Sequence, residues 1–220
     1  LNIFKTVEDA LCSDELQALQ LCGHRAVLLC GESGSQMAPI NREKPTPMLD
    51  FLGVPILERA ANQLASFGVK EFLCNPGQLG AQIPKHFRNR NDLSFFYKKE
   101  LALTDHDNSI DTLARLHHDH CAFEHDTFVQ MGTTVSNLDF AALMRKHKQN
   151  QADVSYVLSP DQKSACLMIM KPSAFDVFSN AQKSDFGKSD LFIFLRMSGL
   201  RMAEIRDGST VWEIQNGCTY

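Results

Sequence analysis

The stretch Ala26 to Glu58, AVLLCGESGSQMAPINREKPTPMLDFLGVPILE, decides the fold. It opens on an apolar run, Ala26-Val27-Leu28-Leu29-Cys30, and passes into a small-residue turn, Gly31-Glu32-Ser33-Gly34-Ser35. A Pro-rich crossing follows, and a helix begins near Pro55. Apolar side chains at every position of the run put hydrocarbon on both faces of a strand, as a central parallel strand covered by helices requires. Glycines just after such a strand let backbone N–H groups approach a ligand closely, which is how many α/β proteins hold phosphate.

Working outward, strand and helix patterns alternate. An amphipathic helix is predicted over Thr6–Cys22, with its apolar stripe at Val7, Leu11, Leu16 and Leu19. Helices are predicted over Gly53–Phe67, Leu79–Phe87, Ser109–His118, Leu138–His147, Pro172–Phe178 and Leu191–Ser198. Ser136 or Asn137 is the expected cap of the Leu138 helix. Strands are predicted over Val69–Cys74, Leu93–Tyr97, Asp126–Met131, Asp153–Leu158 and Ala165–Met170. Two last strands, Arg201–Arg206 and Thr210–Gln215, flank an Asp207-Gly208 turn and are read as an antiparallel edge hairpin. This order predicts an α/β protein: a three-layer α/β/α sandwich around a mostly parallel central sheet. The expected division is a helical extension over 1–25 and one domain over 26–220.

Composition narrows the function classes. The chain has 220 residues, 44% hydrophobic and 22% charged, an ordinary globular balance. A net charge of −4 with no basic patch argues against a nucleic-acid surface. No apolar run approaches the roughly 20 residues of a membrane helix. Seven cysteines, odd in number and without a CxxC pair, read as reduced thiols in a cytoplasmic protein. The chain does not begin with Met and is read as a piece of a longer or processed protein.

The loop after the first strand is neither GxxxxGK[ST] nor GxGxxG. GESGSQMAPIN, then EKPTPML, then GVPILE, in that order, resemble the N-terminal signature of the sugar-1-phosphate nucleotidyltransferases, roughly GGxGTRLxPLT, a lysine before proline, and GKPLLE. FGVKEFLCNPGQLGAQIPKHF, FVQMGTTVSNLDFAALMRKHKQNQADVSYVL and SDFGKSDLFIFL resemble later family segments in the same order. The resemblance implies the nucleotidyltransferase (glycosyltransferase-A-like) fold. It also implies a reaction in which a sugar-1-phosphate attacks the α-phosphate of a nucleoside triphosphate and pyrophosphate leaves, with Mg²⁺ as cofactor if the site is active.

Carried over by residue, the resemblance implies a nucleotide site at Gly31, Glu32, Ser33, Gly34 and Ser35, with Gln78 facing the base and Lys188 toward sugar or phosphate. The family's catalytic arginine falls on Gln36 and its lysine on Thr46. The metal aspartates fall on Thr133 and, less closely, on Glu213. The segment facing base and sugar falls on Ser109-Ile110-Asp111-Thr112. Each catalytic substitution removes a charge that the transfer of a phosphoryl group uses. The expectation is therefore a catalytically degenerate member, a pseudoenzyme that binds a nucleotide or sugar nucleotide, or regulates or scaffolds, in sugar-nucleotide or polysaccharide metabolism. The alternative is an active enzyme in which Lys44, Lys188 or another cation substitutes. Homo- or hetero-oligomers, or a further C-terminal domain, are the expected partners.

One other cluster stands out: His117, His118, Asp119, His120, His125 and Asp126. A solvated helix end accounts for it, because histidine is favourable there. A metal site is the competing reading, although zinc spacings such as HExxH are absent. Cys121, close to these histidines, is an incidental thiol.

Overall fold

The computed structural model describes residues 25–31, 38–77, 79–97, 109–120, 123–159, 162, 165–183, 191–206, 208 and 210–214. The strands are β1 (Arg25–Leu29), β2 (Asp50–Phe51), β3 (Val54–Pro55), β4 (Glu71–Asn75), β5 (Ser94–Tyr97), β6 (Thr127–Met131), β7 (Thr134–Ser136), β8 (Val154–Leu158), β9 (Ala165–Met170), β10 (Met202–Glu204) and β11 (Val211–Glu213). The helices are α1 (Ile56–Ser66), α2 (Gln82–Phe87), α3 (Ser109–His120), α4 (Phe140–Asn150) and α5 (Leu191–Met197), with a 3₁₀ segment over Pro172–Lys183.

Seven strands form the central sheet in the order β10-β8-β9-β6-β1-β4-β5. All run the same way except β9, which is antiparallel to both β6 and β8. Both faces of the inner strands β1, β4, β6 and β9 are apolar, so both must be covered. Ala26, Leu28, Phe72 and Phe128 pack with Leu57 and Leu64 of α1 and with Phe140 and Leu143 of α4. Val27, Leu29, Leu73 and Val129 pack on the other side with Ile110 and Leu113 of α3 and with Phe175 and Phe178 of the 3₁₀ segment. The result is the expected three-layer sandwich. No helix among the described residues is long and apolar enough to cross a membrane.

Several local expectations are corrected. The last two strands do not form a hairpin. β10 lies parallel to β8 at the sheet edge, whereas β11 leaves the sheet and pairs antiparallel with β7. The reason is topological: β9 runs against its neighbours and ends at the edge where β8 begins, so β10, entering from that same edge after the 3₁₀ segment and α5, runs parallel to β8. The cap of α4 is Asp139, whose carboxylate accepts from the Ala142 amide at 2.9 Å. Asn137 instead accepts from the Thr210 amide at 2.7 Å, tying β11 to the start of α4. Between the crossing and α1 the chain forms a small β2–β3 hairpin, so α1 begins after Pro55 rather than at Gly53. The helix expected over Leu79–Phe87 begins only at Gln82, which puts Pro84 in the first turn of α2, where its missing N–H has no intrahelical partner. The expected helix over Thr6–Cys22 lies outside the described residues.

Candidate functional site

Parallel strands in one sheet send their carboxyl ends to one edge, and ligands of such sheets bind there. Here the ends of β1, β4 and β6 meet. The Gly132 amide after β6 donates to the Leu29 carbonyl at 2.7 Å. The Cys30 amide after β1 donates to Asn75 Oδ1 at 2.7 Å, and Asn75 Nδ2 donates to Thr112 Oγ1 at 3.0 Å. One buried amide therefore joins the start of the glycine loop to the first turns of α3. Asn75-Pro76-Gly77 is by its composition a turn signal. A polar residue closing an otherwise apolar strand is the signal that marks it as a buried hydrogen-bonding group.

The glycines here are steric requirements. A Cβ on Gly31 would collide with the Asn75 amide, and one on Gly77 would lie 2.7 Å from the Gly31 Cα. Gly77 also has φ +63°, a conformation that glycine tolerates best. The β1 and β4 strand ends thus meet in backbone contact at Gly31 and Gly77.

The residues named from sequence fall into three groups. Gly31 stands at the meeting point. Glu32, Ser33, Gly34, Ser35, Gln36, Gln78 and Lys188 lie outside the described residues. Ser109 to Thr112 form the opening of α3, and Thr112 touches Asn75, so this segment does border the meeting point. Thr133 and Glu213 are brought together: the Ile214 amide donates to the Thr133 carbonyl at 3.0 Å, and Glu213 stands opposite Thr134 across the β7–β11 pair. Glu213 is buried, and after burial itself its charge is what pushes the Cys166 thiol up to about 12. Thr46 begins a short 3₁₀ turn, Thr46–Met48. It is only 6% exposed, and its hydroxyl has no hydrogen-bond partner among the described residues.

Beneath the meeting point the chemistry is neutral. Cys30 and Cys74 are buried free thiols with their sulfurs 3.5 Å apart, and burial pushes the Cys30 thiol well up. Such a thiol is a poor nucleophile. Burial likewise raises the Tyr97 phenol.

Two openings flank the strand ends. One, of about 690 Å³, separates the crossing and the β2–β3 hairpin from α2. The other, of about 320 Å³, lies where β8 and β10 end, between Ser159, Arg206 and Val211.

Among the described side chains the histidine cluster does not assemble; those of Asp119 and His120 lie outside them. His117 lies parallel to Phe123 and Phe175, at 6.3 Å from each ring. Asp126 turns instead to Lys148 and to His147, whose Nδ1 is 2.7 Å from Ser155 Oγ. Among the described residues no three His, Cys, Asp or Glu side chains converge on a common point. The Asp126–His147–Ser155 order has the composition of a catalytic triad. However, His147 and Ser155 are fully buried, so no substrate reaches the hydroxyl.

Residues 25–167 match the family model described as nucleotidyl transferase. The mannose-1-phosphate guanylyltransferase of Mycobacterium tuberculosis is 25% identical over 136 residues, 60% of this chain and 36% of that protein. The UTP–glucose-1-phosphate uridylyltransferase of Synechocystis is 24% identical over 219 residues, covering 80% of this chain and 56% of that protein. The chain thus spans about half or less of the length of these relatives. Among solved structures, a UDP-glucose pyrophosphorylase complexed with UDP-glucose superposes with a TM-score of 0.70 at 11% identity, over 89% of this chain and 95% of that one.

Proposed function

This chain belongs to the nucleotidyl transferase family, and from that premise we propose that its cleft holds a nucleotide or sugar nucleotide without turning it over at enzyme rates. The observation that carries the reading is Thr46. At the position of the family's lysine stands a neutral side chain, and it is buried. A cation there would face a triphosphate, and removing one such preorganised group costs roughly 100- to 1000-fold in rate. Gln36 and Thr133 at the arginine and metal-aspartate positions add to the loss, though not additively. The frame is retained: two loops in glycine contact, the Asn75 bridge and the opening of α3 suit a ligand read through backbone N–H groups.

Magnesium does not fit the residues present. The ion takes hard oxygen ligands, usually carboxylates and phosphates. Thr133 offers a neutral hydroxyl, and Glu213 is buried beside a thiol. An active enzyme using Lys44 is disfavoured, because Lys44 pairs with Asp50 at 3.1 Å and lines the opening beside α2. We place this binding or scaffolding role in the cytoplasm, in sugar-nucleotide metabolism, as the reduced buried thiols and the relatives' substrates suggest.

Calorimetric titration with UTP, GTP, CTP, dTTP and ATP, and with UDP-glucose and GDP-mannose, tests the reading. A parallel assay follows pyrophosphate release with glucose 1-phosphate or mannose 1-phosphate and Mg²⁺. Saturable binding without release is expected. Release at turnovers per second overturns the degenerate reading, and no binding of any nucleotide overturns the ligand.

A further inference from the structure

We infer that the cleft of the proposed function selects against phosphate charge: it takes a nucleotide whose phosphates end in a neutral sugar and excludes the corresponding triphosphate. The class of ligand named here presupposes the nucleotide reading of that cleft. A nucleoside triphosphate ends in a phosphoryl group that carries about two negative charges. In a sugar nucleotide an ester to the sugar takes the place of that group, and the end of the ligand is neutral.

β1, β4, β5 and β6 run the same way, so the connections that leave them start from one edge. The described side chains that meet there are neutral: Cys30, Asn75 and Thr112, with Thr133 just after β6. Two carboxylates border them. Asp111 precedes Thr112 in the first turn of α3, and Glu213 precedes Ile214, whose amide donates to the Thr133 carbonyl at 3.0 Å. The connections supply no excess of positive charge. Residues 30–50, leaving β1, carry Arg42 and Lys44 against Glu32, Glu43 and Asp50. Residues 98–108, leaving β5, carry two lysines against three carboxylates. Residues 76–81 after β4 and 132–133 after β6 carry no charge. Lys188 shares its own segment, 184–190, with two aspartates. Thr46, neutral and 6% exposed, adds no cation.

The amino end of α3 does not make up the difference. Asp111 lies in its first turn, where a carboxylate already complements the helix dipole. A charge taken out of water without a counter-ion is costly, and a like charge within a few ångströms adds to that cost. The terminal phosphoryl group of a triphosphate meets both conditions at this edge. The hydroxyls of a sugar are neutral donors and acceptors, which hydroxyl, amide and backbone groups satisfy without a counter-ion. Occupancy of the cleft therefore follows the sugar-capped nucleotide and not the triphosphate.

The test is calorimetric titration of the full chain, free of divalent cations and at constant ionic strength, with two series: UDP-glucose, UDP and UTP, and GDP-mannose, GDP and GTP. In the series that binds, the sugar nucleotide should be tighter than the triphosphate by about tenfold or more, with the diphosphate between them. The ratio should narrow as salt is raised, since screening weakens repulsion between charges. Asp111→Asn and Glu32→Gln each remove one negative charge from this edge and should narrow it as well, by about twofold or more. Each ratio is taken within one protein, so a change in overall stability does not move it. A triphosphate that binds as tightly as the sugar nucleotide, or a ratio that neither salt nor either substitution narrows, overturns the charge selection and leaves the nucleotide reading standing. No binding by any of the six removes the nucleotide reading and the charge selection with it.

Discussion

The two ends of the central sheet use polar residues in opposite ways. At the amino end charges are matched. Asp126, just before β6, meets Lys148 and His147 from α4, and Arg25 and Glu71 pair across the first residues of β1 and β4 at 2.8 Å. At the carboxyl end, where Cys30, Asn75 and Thr133 close β1, β4 and β6, the groups are neutral and hydrogen-bonded through backbone. The contrast separates the end of the sheet that is held by charge from the end where three strand termini meet through hydrogen bonds.

The contrast breaks hardest at Asp126. Asp126→Ala leaves His147 buried beside an empty position and Lys148 without its carboxylate. Removing one partner of a buried ion pair costs about 3–5 kcal/mol. Because Lys148 is partly exposed, we expect the lower end, about 3 kcal/mol, in urea unfolding. A loss below about 1 kcal/mol would show that the amino end is held by hydrocarbon packing alone.

The same carboxylate sets an acid limit. Burial pushes Asp126 up, but hydrogen bonds and charge from His147 and Lys148 outweigh it, so the group sits below the usual carboxylate range. A group whose folded pKa is depressed contributes stability that is fully present above its unfolded pKa, about 3.9. That stability is lost as pH falls through the lower folded value. The expected result is a urea midpoint that declines below about pH 4 in the wild type, with a shallower decline in Asp126→Asn.

At the carboxyl end the counterpart is Asn75. Asn75→Leu keeps the side chain's bulk but strands the Cys30 amide and the Thr112 hydroxyl. Two buried groups lose their partner, for an expected cost of about 2 kcal/mol. The sharper readout is local. Hydrogen exchange at Cys30 and in the first turn of α3 should rise together, and nucleotide affinity should fall, while exchange in β8 and β9 changes only by the global amount. Exchange rising equally everywhere would mean that Asn75 is a packing residue and not a link between the two halves of the cleft.

How much of this was readable depends on how far apart the interacting residues lie in the chain. β1, β4 and β6 were legible because consecutive apolar residues have few other solutions. The direction of β9 was not, since ACLMIM has the same local pattern in either orientation and only its neighbours in space set it. Asn75 was passed over because Asn-Pro-Gly is also a turn signal, and its partners are 45 and 37 positions away. His147 was more accessible: Phe140, Leu143, Met144 and His147 share the three-and-four spacing of one buried helix face. The substitutions at Gln36, Thr46 and Thr133 were visible from resemblance, but the burial of Thr46 was not, because it follows from how the Thr46–Met48 turn packs against α1.

The smallest expected effect limits the comparison itself. Arg25 and Glu71 share the amino end with Asp126, and Arg25 donates to one Glu71 oxygen through Nε at 3.0 Å and Nη2 at 2.8 Å. Yet both side chains keep about a third of their surface in water, 32% and 38%. Solvent screens the attraction, and holding two long side chains in one geometry costs entropy, so such pairs contribute about 0.2–1 kcal/mol. A double-mutant cycle with Arg25→Ala and Glu71→Ala should return a coupling at the low end of that range, decreasing in high salt. If it instead equals the Asp126 effect, the amino end is stabilised by charge in general. If it is as small as expected, what distinguishes that end is the burial of one carboxylate, held by Lys148 and His147.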